Sequence, residues 1–196
     1  MKEIFDIQQP TISYCDLKQV YVRVNEEEIQ VEEYNNPMEE GGEPTLVTKY
    51  QYDVVLTTVD YPTEEHVVAK MKELKNNDIM AYDSSSEVNS FTFRGVEMWL
   101  DKDTRNGLVM RLNAEKEAGH ITTTLWLGTQ SFTLGVDEGL QLLAALELYA
   151  SACFDNTSSH LAAVEQLDDV EDIFNYDYKT GYPEKLIIND IEELSK

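Results

Sequence analysis

Residues 122–154, TTTLWLGTQSFTLGVDEGLQLLAALELYASACF, combine two patterns that decide the fold class. Two short runs, Thr122–Leu127 and Gln130–Leu134, flank Gly128-Thr129, which predicts a β-hairpin with Leu125, Leu127, Phe132 and Leu134 as packing candidates. From Val136 to about Phe154 apolar and small residues recur at helical spacing, which predicts a long helix. Those positions are Leu140, Leu143, Ala144, Leu146 and Ala150, and Glu147 recurs at the same spacing. A hairpin leading into a helix favours an α+β fold.

The residues around this stretch extend the pattern to a small β-β-α-β-β-α-α domain. Residues 91–100 predict two short strands around Gly95, and Asp101 or Asp103 can cap a helix that runs to about residue 118. Gly119 stands where a C-terminal cap glycine is expected. Asp155-Asn156 predicts a break, after which residues 158–167 form a second helix. A strand is expected at 186–188.

The first half predicts a β-rich unit with a hairpin, a strand and one helix. Valines alternate at 20–24, and Ile29 and Val31 continue after the polar residues 25–28, which predicts two strands joined by a turn. Residues 46–59 are rich in β-branched and aromatic residues and predict a further strand. A helix is expected to begin near Pro62 and to end at residues 76–78, before a strand at 79–82. Residues 1–19 are expected to form an extended arm.

The same analysis predicts two domains, 1–82 and 83–196, because residues 83–86 form a short polar joint. The first is interpreted as an attachment or oligomerisation unit. It contains an acidic loop at 32–45 in which Pro37 and a glycine pair exclude a core. The loop can dock a basic partner or remain a solvated tip.

Charge excludes several classes of function. The 196 residues include 15 basic and 38 acidic ones, for a net charge of −23. Such a surface repels nucleic-acid phosphates and anionic lipid, so neither nucleic-acid binding nor membrane insertion is expected. No apolar run approaches the roughly 20 residues of a membrane span, and residues 1–6 do not resemble a signal peptide. Cys15 and Cys153 lack metal or redox spacing.

Catalytic and cofactor motifs are missing from the sequence. It contains no phosphate-binding glycine loop, no nucleophile elbow and no zinc-protease motif. The three histidines lack a second ligand at metal spacing, and Arg94, Arg105 and Arg111 are expected to have structural roles, Arg105 by anchoring a salt bridge or capping a strand carbonyl. We therefore expect no enzymatic activity, no catalytic residue, no cofactor and no metal.

A protein interface is the site that the residue types favour. An exposed strand at 46–59 can pair with a strand of another chain, and aromatic residues are frequent in interfaces. The candidate interface residues are Tyr50, Tyr52, Val54, Glu39, Glu40 and Glu43.

Several short motifs in residues 85–188 occur together in one family. They are Val88–Thr92, Met98–Leu108, Thr122–Gly128, Leu142–Ala150, Ser159–Val164 and Tyr176–Leu186. In this order they resemble a small phage-associated domain family of unknown function, found in tail-fibre and tail-fibre-assembly proteins of tailed bacteriophages and prophages. The resemblance covers about half the chain and brings no catalytic residues with it.

The resemblance implies a non-enzymatic structural component of a tailed-phage virion, in the tail, a tail fibre or a connector. Its partners would be other phage structural proteins and further copies of itself, since virion parts assemble by symmetric repetition. It would be made in the host cytoplasm and located in the virion. The alternative is a tail-fibre assembly chaperone that is absent from the mature particle. A host-facing depolymerase is a third possibility that no motif supports.

Overall fold

The computed structural model describes residues 1–15, 18–33, 44–61 and 63–189, and its fold class is α+β, as predicted. The chain divides into two units. Unit 1 contains Met1–Asn77 and Ala163–Tyr176, and unit 2 contains Asp78–Ala162 with the described residues from Asp177 onward. The predicted division at residue 82 differs from this in two respects: the first segment of unit 1 ends at Asn77, and Ala163–Tyr176 also belongs to unit 1.

Unit 1 is built on a four-stranded antiparallel sheet in the order β1-β4-β3-β2. Its strands are β1 (Lys2–Phe5), β2 (Ile12–Tyr14), β3 (Gln19–Glu33) and β4 (Thr45–Thr58). The predicted arm thus supplies the two outer strands, and β3 and β4 form the long central pair. The long runs of β-branched and aromatic residues in β3 and β4 favour this extended pairing.

The predicted hairpin turn at residues 25–28 is wrong, since β3 runs through these residues as one strand with a β-bulge. The register shifts between Val24 and Glu27, and Asn25 has a positive φ of 55°. Asparagine tolerates this left-handed conformation better than most residues. Its side chain exchanges hydrogen bonds with Asn175, at 3.1 and 2.7 Å, and donates to Asp53 Oδ2 at 2.9 Å. These contacts hold the bulge in place.

One face of this sheet packs on two helices. Helix α1 (Glu64–Asp83) contributes Val67 and Met71, and α4, near the end of the chain at Val170–Asn175, contributes Val170 and Ile173. They enclose the β3 side chains Val20, Val22 and Val24. The core of unit 1 therefore depends on residues from both of its chain segments.

The predicted end of α1 at residues 76–78 and the predicted strand at 79–82 are both wrong, because the helix continues to Asp83. Ile79 is fully buried, and it follows the buried Met71 by two helical turns. Burial of this apolar stripe outweighs the weak helix propensity of Asn76-Asn77-Asp78.

Unit 2 contains two small sheets and two long helices. Strands β5 (Phe91–Phe93) and β6 (Val96–Met98) pair around Gly95, and the last strand of the chain, β9 (Ile187–Ile188), runs parallel to β5. The other described elements are α2 (Lys102–Glu117), the hairpin β7 (Thr122–Leu127) and β8 (Gln130–Gly135), and α3 (Val136–Glu165). Asp101 caps α2 by accepting from the Thr104 N–H at 2.8 Å, as predicted.

The predicted break at Asp155-Asn156 is wrong, and α3 is a single helix of 30 residues. Cys153, Thr157, His160 and Val164 are all buried, so the inward stripe continues across the polar pair. Asn156 takes a structural role by donating to the Thr180 carbonyl at 3.0 Å and contacting His160 Nε2 at 3.1 Å. Helical side-chain burial thus overrides the local preference for a break.

Tyr149 is a buried tyrosine of unit 2 whose ionisation makes the free energy of unfolding depend on pH in the alkaline range. It donates to the Val88 carbonyl at 3.0 Å, and burial raises its pKa well above the usual value. An unfolded tyrosine has a pKa of about 10. The protonated phenol therefore contributes stability that is complete below pH of about 10 and is lost as the pH rises towards the folded pKa.

We expect the free energy of unfolding to fall above pH of about 10, and to fall less steeply in Tyr149→Phe. Urea unfolding at a series of alkaline pH values measures both slopes. Tyr61→Phe is the control, because Tyr61 is 69% exposed. Identical slopes in wild type and Tyr149→Phe would contradict the assignment.

Candidate protein-interaction site

The central pair of strands in unit 1 extends beyond its neighbours. Strand β1 pairs with β4 only from Asp53 to Tyr50, and β2 pairs with β3 only at Val20–Val22. Residues 27–33 and 45–49, which we call the ribbon, pair only with each other within the described part of the chain. The ribbon is therefore a two-stranded projection with two unpaired edges.

The direction of the main chain in β4 identifies the groups on its open edge. Val54 exchanges hydrogen bonds with Met1 on the β1 side, N–H to carbonyl at 2.6 Å and carbonyl to amine at 3.1 Å. Alternate residues of a strand direct their N–H and C=O groups to the same side. Thr48 and Leu46 therefore present theirs to the open edge, where no described strand pairs with them. Leu46 is 64% exposed.

The opposite edge of the ribbon is acidic. After the bulge, Ile29 and Val31 pair with Lys49 and Val47, so Glu28, Gln30 and Glu32 have main-chain groups on the open side of β3. Charged side chains beside an open edge oppose the addition of another strand. The outward residues of the β4 edge, Leu46 and Thr48, are uncharged, so this edge is the better template for strand addition.

Lys49 fixes the ribbon to the N-terminal arm. Its ammonium lies 2.5 Å from Glu33 Oε1 and 3.1 Å from Asp6 Oδ1. The hydrogen bond to Glu33, followed by the one to Asp6, raises the pKa of Lys49. The lysine therefore stays charged at neutral pH. Through Glu33 and Asp6 it joins β3 of the ribbon and the N-terminal arm to β4.

Two of the predicted interface residues are buried in unit 1. Tyr52 and Val54 are each 2% exposed. The Tyr52 hydroxyl accepts from the Gln9 N–H and donates to Glu26 Oε2, both at 2.9 Å, and its ring packs edge-on against Phe5. Burial raises the pKa of Tyr52. Tyr52 is thus part of the packing between arm and sheet, and neither side chain is available to a partner.

The remaining predicted interface residues have different positions. Tyr50 is half-buried, opposite Phe5 on β1 and Glu28 on β3. Glu39, Glu40 and Glu43, and most of the predicted acidic loop, lie outside the described residues. The predicted exposed strand spans 46–59, but β1 pairs with the middle of β4, and the open edge that we identify is at 46–49. To predict the position of this open edge, residues 1–5 would have to be recognised as a strand that pairs with β4.

The three arginines singled out in the sequence, Arg94, Arg105 and Arg111, have intramolecular partners. Arg105 contacts Glu147 through Nε and the Leu100 carbonyl through Nη1, both at 2.7 Å, so the predicted anchoring role is confirmed. Arg111 contacts Glu115, and the Arg94 guanidinium packs on the ring of Phe93. No group of three His, Cys, Asp or Glu side chains with the geometry of a metal site is found in the ranges that the structure describes.

The comparisons with known proteins assign no relative. No family model matches the chain, and no curated protein and no solved structure gives a significant match. Among the helices of the described ranges, none has the length together with the apolar character that a bilayer crossing requires.

Proposed function

We propose that this chain is a non-enzymatic structural component of a tailed-phage virion that joins other virion proteins through the ribbon. The single observation behind the proposal is the unpaired β4 edge at Leu46 and Thr48, on a two-stranded projection whose other edge is acidic. An open, uncharged strand edge is a template for β-strand addition by another chain. The resemblance of residues 85–188 to the phage-associated family supplies the tail, fibre or connector context.

The test compares two substitutions on the two edges of the ribbon. Thr48→Pro removes an outward N–H from the β4 edge, and Gln30→Pro removes one from the β3 edge. Each substitution also removes the 2.9 Å hydrogen bond from Gln30 Nε2 to Thr48 Oγ1. The two variants therefore lose the same side-chain contact and differ only in the edge that they block. Thermal melting of the purified variants checks that both remain folded.

Quantitative mass spectrometry of gradient-purified particles, beside the infected-cell lysate, gives the readout. The wild-type chain is expected in the particle at a fixed copy number, with a roughly tenfold lower occupancy for Thr48→Pro if strand addition at that edge provides about 1.4 kcal/mol or more. Gln30→Pro is expected to retain its place. Equal incorporation of both variants would contradict attachment through the β4 edge.

The same measurement distinguishes an assembly chaperone. A chaperone would be abundant in the lysate and absent from the particle. The net charge of −23 suits a soluble factor that covers a basic partner during assembly. Absence of the wild-type chain from purified particles would therefore overturn the structural role and favour the chaperone.

A further inference from the structure

Unit 2 contains an open groove between α2 and α3. Two cavities of about 390 and 430 Å³ share Arg105 and Glu147 in their lining. The lining residues of α2 are 102, 105, 106 and 109, and those of α3 include 140, 143, 144, 147, 150, 151 and 154. Each set recurs every three or four residues, so each lies along one stripe of its helix. The two cavities are therefore one groove, which follows α3 for about 21 Å.

The walls of this groove combine small and apolar side chains with polar ones, and large apolar side chains stand beside it. The polar lining residues besides Arg105 and Glu147 are Asp83, Asn89, Asp101, Lys102, Asn106 and Ser151. Val109, Leu140 and Ala144 line one end, and Trp99, Ala150 and Phe154 line the other. Phe154 is 68% exposed, and Met110 and Leu148, one helical turn from the lining residues Asn106 and Ala144, are each 74% exposed. Exposed apolar side chains concentrated along one surface mark interaction sites.

The floor of the groove has an ion pair with unused hydrogen-bonding capacity. Arg105 is 6% exposed, and its described contacts occupy Nε and Nη1. Its Nη2 has no partner among the described residues and is not fully sealed from solvent. Glu147 uses Oε2 for Arg105, and its side chain is 46% exposed, which leaves Oε1 as an acceptor. The centre of the groove thus offers a donor beside an acceptor.

A carboxamide matches this donor and acceptor better than a charged group does. Its carbonyl can accept from Nη2, and its amino group can donate to Oε1 of Glu147. A carboxylate would meet Glu147 and the net charge of the chain, and an ammonium would meet Arg105. An aliphatic side chain would leave Nη2 without an acceptor in a dry interface, which costs free energy.

We infer that the groove between α2 and α3 binds an amphipathic helix of a partner protein. Its apolar face lies on Val109, Ala144 and Phe154, a glutamine or asparagine on that face contacts Arg105 and Glu147, and its outer face is basic. The basic outer face follows from the net charge of −23, which attracts cationic partners. A partner helix can pack between α2 and α3 by the ridges-into-grooves packing that is usual for helices. This site rests on the proposed function only in taking the partner to be a protein.

The test uses four synthetic peptides and the full-length chain. The peptides are capped amphipathic helices of about five turns, with leucine and alanine on one face and lysine on the other. They differ at one central position of the apolar face, which is Gln, Leu, Lys or Glu. Binding is measured by peptide fluorescence anisotropy at physiological ionic strength, where the screening length is about 8 Å. Amide chemical shifts of the labelled chain locate the site.

We expect the Gln peptide to bind about tenfold more tightly than the Leu, Lys and Glu peptides, and its shifts to cluster on α2 and α3. Ala144→Arg is expected to weaken this binding by about tenfold or more. Ala152→Arg is the matched control, because Ala152 is also an exposed alanine of α3 but does not line the groove. Melting curves of both variants check their folding.

Three outcomes would overturn the inference. They are no binding of any peptide, equal affinity of all four peptides, and equal weakening by Ala144→Arg and Ala152→Arg. A dimer in sedimentation that Ala144→Arg alone dissociates would instead assign the groove to a second copy of this chain. Thr48→Pro is expected to leave peptide binding unchanged, so failure at the groove and failure at the ribbon are separate results.

Discussion

A fragment that ends at residue 82 is expected to remain unfolded, although it contains all four strands of the larger sheet. The core of unit 1 includes Val170 and Ile173, which are 5% and 0% exposed. Each such side chain contributes about 1.5–3 kcal/mol on burial, and their absence would also expose the β3 valines that they cover. Lys72 and Lys75 would lose the carbonyls of Glu165 and Phe174, which they contact at 2.8 and 2.6 Å.

Circular dichroism and thermal melting of the fragment measure this loss. The control is the same fragment with residues 163–176 joined to it through a flexible glycine-serine linker, which is expected to restore a cooperative transition. Cooperative melting of the fragment alone would show that the sheet and α1 suffice. The linked form also tests whether Ala163–Tyr176 belongs to unit 1, as its contacts indicate.

Glu147→Ala is expected to destabilise the chain more than Arg105→Met, although the two residues form one ion pair. Removing one partner of a buried pair costs about 3–5 kcal/mol, because a charge stays buried without compensation. Glu147 is 46% exposed, so water replaces part of the interaction, and we expect a loss of about 2 kcal/mol. Arg105→Met leaves the remaining carboxylate in contact with water and keeps the packing against Trp99, with an expected loss of about 1 kcal/mol.

Urea unfolding of the two single variants and the double variant gives the coupling energy of the pair. A larger loss for Arg105→Met would mean that the contacts with the Leu100 carbonyl and the Trp99 ring contribute more than the ion pair. Asp137→Ala is a suitable control for removal of an exposed carboxylate, since Asp137 forms only a surface pair with Lys116.

The parts of the fold that local patterns determine were predictable from the sequence. The cap at Asp101, the hairpin around Gly128 and the β5–β6 pair around Gly95 each depend on a few neighbouring residues. Gly119 and Gly128 have φ values of 77° and 64°, as turn and cap positions require. Here the local preference and the tertiary structure agree.

The errors arose where distant residues decide the local structure. The Asp155-Asn156 pair predicts a helix break, but Asn156 is held in α3 by its contact with the Thr180 carbonyl. Residues 76–78 remain helical because Ile79 is buried beyond them. The candidate site was predictable only in type, since the exposed part of β4 depends on where residues 1–5 pair. The groove of unit 2 needed the antiparallel contact of α2 with α3, which no periodicity specifies.

The bulge at Asn25 changes the phase of β3 by one residue. Before it the even-numbered valines face the helices, and after it the odd-numbered Ile29 and Val31 continue on the same face. An unbroken ladder with this sequence would place Glu26, Glu28 and Glu32 on that face instead. Deleting Glu26, or inserting one residue beside it, would give a regular ladder that keeps Ile29 and Val31 in phase. Deleting Asn25 and Glu26 together would instead invert the ribbon. The length of this segment, counted as odd or even, therefore decides which side of the projection is acidic.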